Sequence, residues 1–168
     1  LIALSENCKM YSVFFLLCVN IVLFIEGGYV IHEPEYGGPT NFGVTLEAYS
    51  DWVGYEATLE ELENISKETA IEFFHATVWE HHNLESLPPG IDLAMFDTIV
   101  LHGPKAIRWL QTIVSVEVDG IIGPLTVEAC EKNGFGFVLP GIIANRLYIY
   151  AERESPYAKG WINRAVVI

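Results

Sequence analysis

Positive charge is scarce in this chain. Nine Lys and Arg stand against 22 Asp and Glu in 168 residues, a formal net charge of −13, with a pI near 4.6. Nucleic acid is therefore excluded as a partner, because phosphate backbones demand a basic surface. Cysteine is sparse too. Cys8, Cys18 and Cys130 cannot all pair within one chain, and no CxxC spacing or adjacent histidine supports redox or nucleophilic work. They are expected to be reduced and buried. Metal-ligand spacing is missing as well: His75, His81 and His82 lie near Glu80 but not in the HExxH arrangement, and neither a metal nor a cofactor is implied. No internal repeat, low-complexity tract or coiled-coil heptad is present, and alternating strand patterns are few. What the chain does have is apolar content, 51 %, ample for the core of one compact unit, expected to be a monomer.

The longest apolar run, from Met10 to Ile25, is interrupted only by Ser12 and Asn20. It falls short of the ~20 residues that span a bilayer, so the expectation is a buried core helix. A secretory signal would carry more basic residues before the run and small residues after it, whereas here Phe24 and Ile25 lead directly into Glu26. A third reading is a membrane-arrested helix with transient membrane contact, which would hold the protein inactive until the helix left the bilayer and folded.

Glu26 ends this run, and Gly27-Gly28-Tyr29 breaks it. A carboxyl group leaving a buried helix is partly desolvated, and desolvation favours its protonated form, as a general acid needs. A negative charge at a helix C-terminus also opposes the macrodipole, so an ordinary surface role is the weaker reading. Shortly downstream, Gly37-Gly38-Pro39-Thr40-Asn41-Phe42-Gly43-Val44-Thr45 lets backbone come close to a polar ligand and offers hydrogen-bonding groups to it. Turn chemistry and helix capping are the plainer roles for Thr40, Asn41 and Thr45.

Together these residues resemble the signature of glycoside hydrolase family 108, lysozyme-like N-acetylmuramidases, written EGGYxNxPxDxGGxTNxGIT. The resemblance continues through Phe96-Asp97-Thr98-Ile99-Val100-Leu101-His102-Gly103-Pro104, Leu110-Gln111 and Asp119-Gly120-Ile121-Ile122-Gly123-Pro124-Leu125-Thr126, which look like that family's peptidoglycan-binding region, to Gly160-Trp161-Ile162-Asn163-Arg164. It implies a mainly α, lysozyme-like helical fold with a small β-hairpin region near the active site. The implied activity is hydrolysis of the β-1,4 bond between N-acetylmuramic acid and N-acetylglucosamine in bacterial peptidoglycan. The location implied is secreted, periplasmic or cell-wall-directed, with a phage endolysin as one source.

Muramidase chemistry needs a proton donor and, in most mechanisms, a second carboxylate. Glu26 is the expected donor. Glu35 stands where the signature carries Asp and is the expected second carboxylate, with Glu33 close enough to substitute. Tyr29, Thr40, Asn41, Thr45 and His102 are expected to line the substrate site. Tyr29 and Trp79 are candidate sugar platforms, with core packing as the equal alternative for Trp79. Ile31 and Leu101 replace asparagines common in the family. With Glu35, these departures support a rival reading: a catalytically impaired peptidoglycan-binding or secretion-assisting protein that keeps the fold. The acidic surface favours it too, since walls are polyanionic. An integral membrane protein is the other rival, resting on the N-terminal run alone.

Helix starts are readable at Thr45, at the capping box Thr58-Leu59-Glu60-Glu61 and at Ser66. Ile71, Phe74 and Val78 share one helical face; Ile91, Met95, Phe96 and Ile99 share another; Ile107, Leu110 and Val114 form a third. Leu87-Pro88-Pro89-Gly90 is the best internal boundary, dividing a catalytic part, 1–88, from a helical peptidoglycan-binding part, 89–168, packed against each other. A last helix is expected around Ile142 to Leu147, after Pro140-Gly141. Short strands are expected between Val30 and Val44 and around Val116 to Ile122. Asp97, Gln111 and Arg146 are polar residues on apolar faces and are expected in buried hydrogen-bond networks.

Overall fold

A computed structural model describes residues 10–31, 38–152 and 158–167. It is mainly helical with one small antiparallel sheet, as the sequence implies. Helix α1 (Val13–Glu26) leads into strands β1 (Val30–Ile31), β2 (Pro39–Asn41) and β3 (Val44–Thr45). Helices α2 (Leu46–Val53), α3 (Leu59–Glu63), α4 (Lys67–Phe74), α5 (Ile91–His102), α6 (Lys105–Ile113), α7 (Pro124–Asn133), α8 (Phe135–Ala151) and α9 (Ala158–Val167) follow.

The caps explain where several helices begin. The Ser12 hydroxyl accepts from the Phe15 amide at 3.1 Å and opens α1. Thr45 does the same for α2 and Ser66 for α4. Thr58 and Glu61 close a full capping box on α3. Each such cap contributes roughly 1 kcal/mol to its helix.

Core packing centres on α5, where Ile91, Ala94, Met95, Phe96 and Ile99 are all buried. A helix apolar on every side belongs inside the molecule. Phe96 meets Phe74 and Trp79 edge-on at 5.9 and 5.8 Å between ring centroids. Phe15 of α1 joins the same cluster, 5.4 Å from Trp79. Only one face of α1 is buried, through Phe15, Cys18, Val19, Val22 and Leu23, while Val13, Phe14, Leu17, Ile21 and Phe24 are exposed. The expected core helix is therefore half in and half out. At 14 residues it measures about 21 Å, against the ~30 Å of a bilayer core. Among the described residues no helix is long and apolar enough to cross a membrane, so the membrane-arrested helix gains no support.

Two expectations differ from the structure. Pro140 lies inside α8 instead of preceding a helix; Gly141 explains why the helix is wanted there. A Cβ on Gly141 would sit 2.8 Å from the Ile113 side chain, so the glycine lets α8 pass close over α6, and that packing outweighs the backbone hydrogen bond that proline removes. The segment Val116 to Ile122 forms no strand. It is a loop braced by Gln111, whose amide donates to Asp119 at 2.6 Å and to the Ile121 carbonyl at 3.0 Å, while its carbonyl accepts from the Gly120 amide at 2.8 Å. The sequence does not announce the π-helical turn His75–Glu80 that extends α4.

Candidate active site

The site is built where α1 ends. Gly27 caps the helix with φ +74, its amide bonded to the Leu23 carbonyl at 3.1 Å, and this leaves Glu26 on the last helical turn. The chain then enters the sheet, in which Val30 pairs with Thr40 and Asn41 with Val44. Between β2 and β3 the two turn residues, Phe42 and Gly43, have φ of +52 and +80. Positive φ at both positions is the pattern of a type I′ hairpin turn, whose twist matches that of the strands. The turn lies against Glu26: a Cβ on Gly43 would fall 2.7 Å from the Glu26 Cγ and 3.2 Å from its Oε2. Only a glycine lets backbone approach the carboxyl so closely.

From the other side Glu26 meets a cation. Its Oε1 lies 2.6 Å from Arg164 Nη1, on α9. The Arg164 Nε donates to Asp97 Oδ1 at 2.8 Å, and its Nη2 reaches the same oxygen. Arg146 Nη1 lies 2.8 Å from Asp97 Oδ2. Asp97 is fully buried and Arg146 is 1 % exposed, so these charges would be costly without partners. They form a line, Glu26–Arg164–Asp97–Arg146, whose signs alternate and sum to zero when Glu26 is ionised. Burial works against the charge on Arg164, but Asp97 and then Glu26 outweigh it and hold the guanidinium protonated above its ordinary range.

Sequence reasoning placed Asp97 and Arg146 in a buried network, and both lie in one; Gln111 belongs to the separate loop network. It missed Arg164. The signal was available in the charge balance: two acids on apolar helix faces need cations, and buried acids are rarely left unpaired. The expected environment of Glu26 was desolvation alone, whereas the structure adds a guanidinium that also offsets the unfavourable end of the α1 dipole.

The other expected site residues divide into two groups. Tyr29 precedes β1, and Thr40, Asn41 and Thr45 lie in the sheet whose β2–β3 turn meets Glu26. Tyr29 packs on the edge of the core, and Thr40 sits half-buried in β2, paired with both neighbouring strands. The Asn41 amide is occupied, donating to the carbonyls of Leu62 and Glu63 at 3.0 Å each, and so fastens the hairpin to α3. The Thr45 hydroxyl caps α2. It also borders an open groove of about 620 Å³, lined in addition by Glu47, Ser50, Asp51 and Glu56.

Trp79 and His102 are elsewhere. Trp79 is 2 % exposed and donates its indole N–H to Glu85 at 2.7 Å. Its ring packs on Phe15, about three helical turns back from Glu26. It is a core residue here, and no sugar can stack on it. His102 lies 3.0 Å from the Tyr150 hydroxyl and 5.2 Å from the Trp109 ring, at the C-terminal end of α5. Ile31 is 71 % exposed on β1, and its side chain offers no hydrogen bond to a ligand. Glu33 and Glu35 lie outside the described residues. Among the described residues, no cluster of His, Cys, Asp or Glu could hold a metal ion.

Glu26 thus closes α1 against the turn of a small antiparallel sheet in a mainly α, lysozyme-like fold. The Glycosyl hydrolase 108 family matches over residues 19–103, about half of the chain. A solved structure of Brucella abortus SagA is similar, with 31 % sequence identity over 91 % of this chain and 90 % of that one and a TM-score of 0.84. No curated protein sequence matches. The chain belongs to glycoside hydrolase family 108 and is a glycoside hydrolase.

Proposed function

We propose that the chain is a peptidoglycan hydrolase, an N-acetylmuramidase that cleaves the β-1,4 bond between N-acetylmuramic acid and N-acetylglucosamine, with Glu26 as general acid. The observation that carries this reading is the seat of Glu26, fixed between the Gly43 turn and Arg164 at the end of a core helix. Arg164 occupies Oε1, which leaves Oε2 to carry the proton. As the bond from the sugar's C1 to the glycosidic oxygen breaks, that proton passes to the oxygen, and positive charge develops on the ring. Glu35 is proposed as the second carboxylate, acting as base towards water or stabilising the cationic sugar. The strongly acidic composition makes encounter with an anionic wall slower at low salt, so short-range contacts must supply the binding.

The test is reducing-end release from purified peptidoglycan by the wild type and by Glu26→Gln, with a pull-down on the same material. Release by the wild type, and binding without release by the variant, is the expected result. A Glu26→Gln variant that releases reducing ends at the wild-type rate would remove Glu26 as the acid.

A further inference from the structure

Arg164 lies at the far end of the chain from Glu26, yet its guanidinium is the only cation that the described residues bring against the Glu26 carboxyl. Its fork is divided: Nε and Nη2 go to Asp97 and Nη1 goes to Glu26. Asp97 is in turn held by Arg146, from α8. The guanidinium plane is thus fixed by Asp97 of α5, itself held by Arg146 of α8, before it meets the glutamate. A planar fork fixed in this way sets the direction of its remaining N–H bonds.

We infer that Arg164 is the positioning residue for the general acid, orienting the Glu26 carboxyl through Oε1 and stabilising the carboxylate that remains after proton transfer, with Asp97 and Arg146 as its anchor. This rests on the reading of Glu26 as proton donor. The charge count shows why the arrangement suits donation. With Glu26 protonated, the four groups carry a net charge of +1 in a largely buried setting; once the proton leaves for the glycosidic oxygen they are neutral. The electrostatic gain arises as the proton transfers, which is when it lowers the barrier. Removing the guanidinium should therefore slow the reaction while extending it to more alkaline conditions. The charged groups behind Arg164 on this side are Asp97 of α5 and Arg146 of α8, and both remain in the variants below.

The experiment compares the wild type, Arg164→Gln and Arg164→Lys in the full chain, measuring kcat, KM, the pH profile of kcat/KM and thermal melting. The Glu26 carboxyl is also titrated by 13C NMR in each. Arg164→Gln is expected to lower kcat by ~10- to 100-fold, in the range of general-acid and orientation effects, with KM within about twofold. The alkaline limb of its pH profile and the NMR midpoint of Glu26 both move to higher pH. Arg164→Lys keeps the charge but cannot reach both carboxylates with a rigid fork, so it falls between the two. It also serves as the working variant if Arg164→Gln does not fold.

A folded variant with wild-type kcat and an unmoved alkaline limb overturns the inference. So does a loss of kcat that comes with lower melting but leaves both the limb and the NMR midpoint in place, because that is what a purely structural arginine would give. Should the wild type prove inactive, the proposed function fails by itself. The NMR midpoint then still decides whether Arg164 controls Glu26.

Discussion

Gly43→Ala is the sharpest perturbation of the site that leaves its chemistry untouched. The new methyl would lie 2.7 Å from the Glu26 Cγ and 2.9 Å from its Cδ. Restoring an ordinary contact means moving the carboxyl by roughly 0.7–1 Å, and misplacement of that size costs on the order of 10²-fold in rate. That corresponds to about 2.7 kcal/mol of transition-state stabilisation. The backbone contributes separately: φ at Gly43 is +80, and an alanine there costs roughly 1–2 kcal/mol of stability.

Gly54→Ala separates the two effects. Gly54 also has φ +80 but would bring its Cβ within 4 Å of nothing, and it caps α2 in the left-handed conformation. It should lose about 1 kcal/mol of stability, or ~2–4 °C in melting temperature, and keep the wild-type kcat. Gly43→Ala should show a comparable or somewhat larger drop in melting temperature together with the hundredfold loss of reducing-end release. If Gly43→Ala stays within about threefold of the wild type in kcat, the turn does not hold the carboxyl in its working position, and the account of the site given by this geometry is refuted.

Two further outcomes follow from the buried titratable groups. Burial first, and the Asp92 charge second, push the Cys18 thiol up to about 12, while burial with Glu131 pushes Cys130 up to about 11. At pH 8 the reactive thiolate is then on the order of 10⁻⁴ and 10⁻³ of each. In a Cys8→Ser background, Ellman's reagent should find no thiol in the native protein and two after denaturation; rapid native labelling would contradict the burial. Asp92 is raised above the ordinary aspartate range, chiefly by burial, against the opposing amide bonds from Leu93 and Gly90. A carboxyl raised in the folded state contributes stability below its unfolded value and loses it as pH rises through the folded value. Asp92→Asn keeps an acceptor oxygen for those amides and removes the ionisation. Its melting temperature relative to the wild type should therefore improve from pH 3 to pH 7, and a difference independent of pH would sink the assignment.

The local signals in the sequence were the most legible. Thr45, Thr58 and Ser66 announced their helices because a cap is decided by residues three apart, and the apolar face of α5 was plain because it is buried throughout. Glu26 and the glycine-rich hairpin could be placed together because both lie in one short stretch of chain. What was not legible had causes at longer range. Pro140 reads as a breaker until Gly141 is seen against Ile113 on another helix. Asn41 looks like a ligand-binding amide until the carbonyls at the end of α3 take its hydrogen bonds. Trp79 offered either a platform or a core ring, and nothing local separates the two. Arg164 is the largest omission, since its partner is more than a hundred residues away and only the fold brings them together.

The line of four charges also bears on why a chain with so little positive charge buries Arg146 and leaves the side chain of Arg164 largely enclosed. Stability alone is a poor reason. A buried ion pair must overcome the desolvation of both partners, and apolar residues of the same volume often do as well or better. Asp97 and Arg146 by themselves would thus be an unpromising way to join α5 to α8. With Arg164 added, the trio carries one excess positive charge, and that charge is presented at the carboxyl of Glu26. The arrangement makes sense as a whole when its outer end is the working group. On the proposed reading, Asp97 and Arg146 hold a guanidinium still and the guanidinium holds the proton donor in line, so that α5, α8 and α9 complete a site whose acid lies in α1.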